Sequence, residues 1–383
     1  MAPRTMLYTG KGGVGKTSVA AATARRTAAA GLRTLLVSTD PAHSLADVLD
    51  APVGPDPTAV APDLWAQELD AQLLLERAGA PRDWLAGLLG GGETAVTPDA
   101  LTVPPGLDEL LRLLALGRHF DDDAHDVLVV DCAATGETLR LLAFPDLARR
   151  LLQRIESGRT ADPGERGGAG ADRAGGADLL RELVALNEIL TDHEHVTVRL
   201  VMTPDRVGLR EARGTLTHLA LHGHRTDAVV VNRVIPDDAG PYFAGWRARQ
   251  AEQLTAIRTA FPRVPVLCSP LAPDEVVGAP ALDALGDVLF AAHDPAAVLA
   301  GGQTQELVLT RDGATLRLDL PFATPQDVQL TQVGLELVVR TGGHRRALAL
   351  PPALADYRPR EATVRDGALL VDFDRLPHAV PDA

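Results

Sequence analysis

Apolar and polar positions give this chain two textures. Up to about residue 292, short apolar runs near 5–9, 33–38, 126–131, 196–202, 227–232 and 264–268 are separated by longer stretches with helical spacing. Such runs predict strands buried on both faces, and their alternation with helices predicts an α/β fold on a mostly parallel sheet. After Pro295 the period drops to two, as in Thr315-Leu316-Arg317-Leu318-Asp319-Leu320 and Ala368-Leu369-Leu370-Val371-Asp372-Phe373. Alternation of that kind between Gly and Pro turns predicts a small all-β sandwich of about 70 residues.

Two stretches fit neither texture. Residues 60–120 carry no strand signal, and within them Leu107, Leu110, Leu111, Leu113, Leu114 and Leu116 predict a helix with leucine on more than one face. It is either packed in the core or lines a groove for apolar client helices. Methionine occurs only at Met1, Met6 and Met202, so the adaptable Met-lined surface of promiscuous helix binders is missing, which favours the core. Residues 158–177 hold almost nothing that can enter a core and predict disorder, as an inert linker or a mobile flap.

The chemistry concentrates near the start. Gly10-Lys11-Gly12-Gly13-Val14-Gly15-Lys16-Thr17 satisfies G-x-x-x-x-G-K-[ST], with a strand before it and an alanine-rich helical stretch from Ser18 to Ala30 after it. Glycines let the backbone turn its N–H groups inward, and the helix N-terminus adds partial positive charge, so Gly10 through Ser18 predict a polyphosphate cradle. Lys16 is expected on the terminal phosphates and Thr17 on Mg²⁺. Of the 37 basic residues, lysine appears only as Lys11 and Lys16; all others are arginine. A compact ammonium enters a narrow cradle that a planar guanidinium cannot, so both positions read as ones where geometry demands lysine.

Other acidic and amide residues fall at strand ends. Asp40 ends the 33–38 run just before Pro41, placed either to orient an attacking water or to cap the next helix. Asp131, at the end of the 126–131 strand, is expected to hold Mg²⁺, through water, because that ion keeps part of its hydration shell. Asn232, at the end of the 227–232 strand, offers both a donor and an acceptor to an adenine edge. His218, His222 and His224 have metal-like spacing, but no carboxylate or thiolate completes the set.

Lys11-Gly12-Gly13-Val14-Gly15-Lys16-Thr17 resembles the signature of the deviant P-loop ATPases, a group that includes nitrogenase iron protein, the Min and Par ATPases and the arsenite-pump group. That resemblance implies that Lys11 reaches the nucleotide of a partner subunit. Ser38-Thr39-Asp40-Pro41-Ala42-His43-Ser44-Leu45 resembles switch I of the arsenite-pump and tail-anchored-protein-targeting ATPases, which implies the water-positioning role for Asp40; Ser44 stands where an asparagine is frequent. Asp131-Cys132-Ala133-Ala134-Thr135-Gly136-Glu137-Thr138-Leu139 resembles the same family's switch II, with Cys132, Ala134 and Glu137 as departures from Thr, Pro and His that imply a looser loop. The segment around Asn232-Arg233-Val234-Ile235-Pro236 resembles the adenine-contacting stretch, and that around Pro270-Leu271 the adenine-covering loop. Residues 316–373 resemble the small heat-shock-protein (α-crystallin) domain. The implied organisation is an ATPase domain over 1–292, with helical insertions at about 60–120 and 145–195, a linker at 293–303 and an α-crystallin-like sandwich over 304–375.

Charge and composition narrow the functions. A net charge of −14 argues against a protein that coats nucleic acid or anionic lipid. No run is apolar enough for a transmembrane span, and the N-terminus lacks the apolar core of an export signal, so an integral membrane protein is not expected and a cytoplasmic one is. Two cysteines are too few for the roughly three thiolates that As(III) takes, which disfavours arsenite efflux. The resemblance implies a homodimeric, Mg²⁺-dependent ATPase, with ATP and Mg²⁺ bound, that moves a protein cargo or serves a membrane partner. The alternative it leaves is an ATP-regulated chaperone or targeting factor for apolar segments.

Overall fold

A computed structural model describes residues 2–42, 44–77, 107–120, 123–161, 170–310 and 313–376. The chain divides into two compact units, 1–208 with 227–300, and 209–226 with 301–383.

The first unit is built on an eight-stranded sheet in the order β3-β4-β2-β5-β1-β6-β7-β8. Its strands are β1 Arg4–Gly10, β2 Thr34–Ser38, β3 Thr58–Ala61, β4 Leu64–Glu68, β5 Val127–Ala134, β6 Val196–Met202, β7 Thr226–Val234 and β8 Val266–Pro270. The central strand β1 runs parallel to β5 and β6, β2 runs parallel to β4 and β5, β7 runs parallel to β8, and β3 is antiparallel to its neighbour β4. Helices α1 Lys16–Ala29, α2 Leu45–Leu49, α3 Ala71–Arg77, α4 Leu107–Gly117, α5 Thr135–Ala161 and α6 Gly170–Leu190 follow, with α7 Arg206–Leu221, α8 Ala244–Ala260 and α9 Gly278–Leu289. Fully buried Val19, Ala20, Ala21, Ala22 and Ala24 of α1 pack with Met6, Tyr8 and Val129 of the sheet, small side chains allowing a close approach.

Two expectations are corrected. Residues 60–120 do contain strand: β3 and β4 form an edge hairpin that turns at Asp63 with φ +55°. β3 is half-exposed, and β4, though largely buried, carries Gln67 and Glu68, so neither shows the apolar run of a buried strand and sequence periodicity passes over them. The 158–177 stretch is not disordered throughout, since 158–161 end α5 and 170–177 begin α6; 162–169 lie outside the described residues. Alanine and arginine favour helix even where nothing apolar marks a face. In α4, Leu110, Leu111, Leu113 and Leu116 are buried, which agrees with a core helix.

The second unit pairs a four-stranded sheet, β14-β15-β10-β9, with a three-stranded one, β11-β12-β13. These strands are β9 Gln305–Leu309, β10 Gly313–Asp319, β11 Gln329–Val333, β12 Glu336–Thr341, β13 His344–Ala349, β14 Tyr357–Arg365 and β15 Ala368–Arg375. The alternating residues Leu316, Leu318, Leu337, Val339, Leu348, Val371 and Phe373 form its core together with Leu221 of α7. The Arg346 guanidinium donates to the Leu221 carbonyl at 2.5 Å and so satisfies an orphan acceptor at the end of α7.

Candidate functional site

The site forms where β1, β2, β5 and β7 end. Register places Tyr8 and Ser38 beside Asp131, so the chemistry-bearing ends of three strands lie in one row. From there Gly10-Lys11-Gly12-Gly13-Val14-Gly15 turns into α1. At Gly10 a Cβ would stand 2.1 Å from the Val201 carbonyl oxygen, and at Gly15, with φ +89°, 2.4 Å from Asn232 Nδ2. Neither position admits a side chain, so the loop's course depends on glycine there.

Lys16 is buried at the first turn of α1, Val14 is buried below the loop, and Thr17 and Ser18 are half-buried beside Lys16. The Thr17 hydroxyl lies 3.4 Å from that of Ser44. Gly12, Gly13 and Lys11 are exposed. Lys11 acts on Asp205, at the N-terminus of α7: burial would raise that carboxyl, but the Thr203 hydroxyl, the Gly208 and Val207 N–H groups and the Lys11 charge hold it below the usual range. Asp205 caps α7 by accepting from Gly208 N at 2.8 Å, and Thr203 donates to it at 2.5 Å.

Asp131 is wholly buried, and neither carboxylate oxygen has a hydrogen-bond partner in good geometry. Burial pushes its pKa up to about 7, opposed by the Thr17 hydroxyl and the Lys16 charge and assisted by Asp40. An orphaned carboxylate beside a threonine hydroxyl and a lysine suits a hydrated divalent cation, which would satisfy both oxygens. Asp40, half-buried, accepts from Ala42 N at 3.0 Å in a tight local turn, and its own N–H donates to the Ser38 hydroxyl at 3.2 Å. Thr39 N donates to the Asp131 carbonyl at 2.9 Å, tying the Asp40 and Asp131 segments together.

Asn232 is brought to the loop: its amide donates to the Val14 carbonyl at 2.9 Å and accepts from Arg233 N at 2.9 Å. One amide hydrogen and one lone pair remain for a base. Pro270 and Leu271 are exposed at the end of β8, held by Leu271 N donating to the Val234 carbonyl at 2.8 Å. β5 passes directly into α5 at Thr135, with Cys132 buried. Thr138 donates to the Ala133 carbonyl at 2.8 Å and accepts from Thr9, fastening α5 to β1. His218, His222 and His224 belong to the second unit. His218 packs on His222 and on His344, with ring centroids 4.7 and 4.1 Å apart.

Sequence reasoning missed Glu68, which accepts from the N–H groups of Leu45 and Ala46 and so anchors α2 beyond the Asp40 segment. No local signal announces a cap supplied from a neighbouring strand. Asp205 was also missed, although Asp three residues before Gly208 is a helix-start signal.

The profile of the family described as Anion-transporting ATPase matches residues 3–291, and that of the HSP20-like domain found in ArsA matches 311–373. A Chlorobaculum tepidum protein provisionally named an arsenical pump-driving ATPase is 33% identical over 97% of this chain and 96% of its own length. Protein Rv2184c of Mycobacterium tuberculosis is 33% identical over 99% of this chain and 97% of its own. The Arabidopsis thaliana ATPase GET3B is 30% identical over 73% of this chain and 77% of its own.

Proposed function

The chain belongs to the anion-transporting ATPase family and is an ATPase, and from that premise we propose that it hydrolyses ATP with Mg²⁺ as a homodimer and uses the cycle to move a protein cargo. The observation that carries this reading is the buried, unpartnered Asp131 beside Thr17 and Lys16. Thr17 and, through water, Asp131 would hold Mg²⁺, which when bound offsets negative charge on the phosphoryl oxygens. The loop N–H groups from Gly10 to Gly15, with Ser18, hold the phosphate chain. Lys16 stabilises charge on its terminal end, and Asp40 orients the attacking water. Lys11, exposed on its own protomer, completes the partner's site with a second positive charge. Asn232, Pro270 and Leu271 contact the base.

Cargo is read as protein rather than metalloid. Cys132 and Cys268 lie on β5 and β8, four strand positions apart in the sheet, roughly 19 Å at ordinary strand spacing. They do not share a soft-ligand site. The names of relatives include arsenical pump-driving ATPase, yet two thiols so separated offer As(III) no set of three. Among the described residues no helix is long and apolar enough to cross a membrane.

Mixed dimers test the shared site. Lys11→Ala alone and Asp40→Asn alone should each lose about 10³-fold in ATP turnover. Their mixture should regain roughly one quarter of wild-type activity, because half the dimers are mixed and each has one intact site. Full activity of Lys11→Ala would remove the in-trans mechanism, while loss on Lys16→Ala alone would leave a single-subunit ATPase.

A further inference from the structure

The Asp40 segment is fastened at both ends to one pair of residues on the neighbouring strand. Register sets Ser38 of β2 opposite Glu68, the last residue of β4. Just beyond it, Leu69 N donates to the Ser38 carbonyl at 3.0 Å and fixes the segment where it leaves β2. At the far end, Glu68 Oε1 accepts from Leu45 N at 2.9 Å and from Ala46 N at 3.3 Å, which fixes the entry into α2. Glu68 is held in turn by its own N–H, which donates to the Gly54 carbonyl at 2.9 Å. Between these two ties lie Thr39, Asp40 and Ser44.

Ser44 shows what the second tie does. A serine just before a helix ordinarily lends its hydroxyl to the unsatisfied N–H groups of the first turn, from an extended backbone. Ser44 precedes α2, yet its side chain makes no such bond, and its backbone stands at φ −90° and ψ 1°, outside the extended region. Glu68 supplies the acceptor in its place. A carboxylate suits that position, because negative charge is favoured at a helix N-terminus. The Ser44 hydroxyl is thereby released from capping and stands 3.4 Å from the hydroxyl of Thr17, which neighbours the buried and unpartnered Asp131 carboxylate. At that distance, longer than an ordinary O–H···O bond, neither hydroxyl is committed to the other.

We propose that Glu68 is a positioning residue for ATP hydrolysis: by capping α2 in place of Ser44, it sets where Asp40 stands and keeps the Ser44 hydroxyl beside Thr17. This rests on the reading above in which Asp40 orients the attacking water and Thr17 holds Mg²⁺. Glu68 acts only through the segment it anchors. Without its carboxylate, the Leu45 and Ala46 N–H groups draw on the nearest remaining acceptor, the Ser44 hydroxyl, which then turns away from Thr17.

ATP turnover and nucleotide-free unfolding midpoints of the full chain test it. Glu68→Ala should lower kcat at least about tenfold. Its KM for ATP should stay within about twofold of wild type, since the phosphate loop is untouched. Glu68→Gln, whose amide oxygen accepts the same two N–H groups, should recover most of the lost rate. Ser44→Ala in the otherwise unaltered chain should leave the unfolding midpoint where it is, because that hydroxyl caps nothing. In the Glu68→Ala background the same change should lower the midpoint, because the hydroxyl has become the cap. Wild-type kcat in Glu68→Ala, a loss carried by KM, a folded Glu68→Gln without recovery, or equal midpoint effects of Ser44→Ala in both backgrounds overturns the assignment. Full turnover in Asp40→Asn overturns the reading of Asp40 instead, and the midpoint comparison still judges the cap.

Discussion

Two aspartates buried in the same sheet have opposite surroundings. Asp227, near the N-terminal end of β7, faces two guanidiniums, Arg4 at 3.0 Å and Arg199 at 3.3 Å, and also accepts from Leu299 N at 3.2 Å. Arg199, itself fully buried, further donates to the Tyr8 hydroxyl and the Ala297 carbonyl, both at 3.0 Å, and lies over Phe290 at 5.6 Å. Asp131, toward the other end of the sheet, has no hydrogen-bond partner in good geometry. The folded chain completes the hydrogen bonds of the carboxylate at one end by itself and leaves those of the carboxylate at the other unmade. Burial alone marks neither as functional. What separates architecture from site is whether the protein itself completes the hydrogen bonds of the buried carboxylate.

The contrast breaks most visibly at Asp227. Asp227→Asn leaves Arg4 and Arg199 buried without a counter-ion and should cost about 3–5 kcal/mol in denaturant unfolding. Arg199→Met removes only one of the two guanidiniums and should cost less, because Arg4 still pairs with Asp227. The same amide swap at the other end should behave in the opposite way. Asp131→Asn removes an uncompensated charge, so the unfolding midpoint of the nucleotide-free protein should hold or rise. ATP turnover should fall roughly 10–100-fold, as expected for a ligand acting through water. A destabilised Asp131→Asn protein would show that the orphan was structural after all.

The sequence makes these two ends unequally legible. The phosphate loop is legible because its residues are consecutive, and Asp40, Asp131 and Asn232 are candidates because each stands at or just past the end of an apolar run. Gly10 and Gly15 are forced by contacts to Val201 and Asn232, but the motif already reserves them as glycine. Nothing local marks Arg199. In Val196-Thr197-Val198-Arg199-Leu200-Val201-Met202 it reads as a polar interruption of a buried strand, and its partners lie 28 and 191 residues away. The β3–β4 hairpin escapes because β3 is a half-exposed edge strand and β4 ends its short apolar run at Gln67 and Glu68, and the Glu68 cap escapes because it spans 23 residues. Period-two alternation exposes the second unit's strands, but not that Leu209–Thr226 belongs with them, since α7 reads as an ordinary amphipathic helix.

The smallest effect sharpens the rule that an orphan signals a ligand. His218 Nδ1 is also buried and unpartnered, and among the described residues no group of ligands is arranged to hold a metal. Burial first, then His222, His344 and His224, push its pKa down to about 3, and burial with His222 pushes His344 down too. An orphan base is tolerated because it stays neutral, whereas an orphan acid above pH 7 does not. Below the ordinary imidazole pKa of about 6.5 the unfolded chain takes up protons that folded His218 refuses, so stability falls as pH drops through that value toward 3. The thermal midpoint should therefore decline by a few degrees between pH 7 and pH 5, and His218→Phe, which cannot titrate, should flatten that slope. A slope unchanged in His218→Phe would assign it to other groups. The nucleotide-free Asp131 end has the reverse sign, losing stability as pH rises from about 4 to 7, and Asp131→Asn should abolish that component alone.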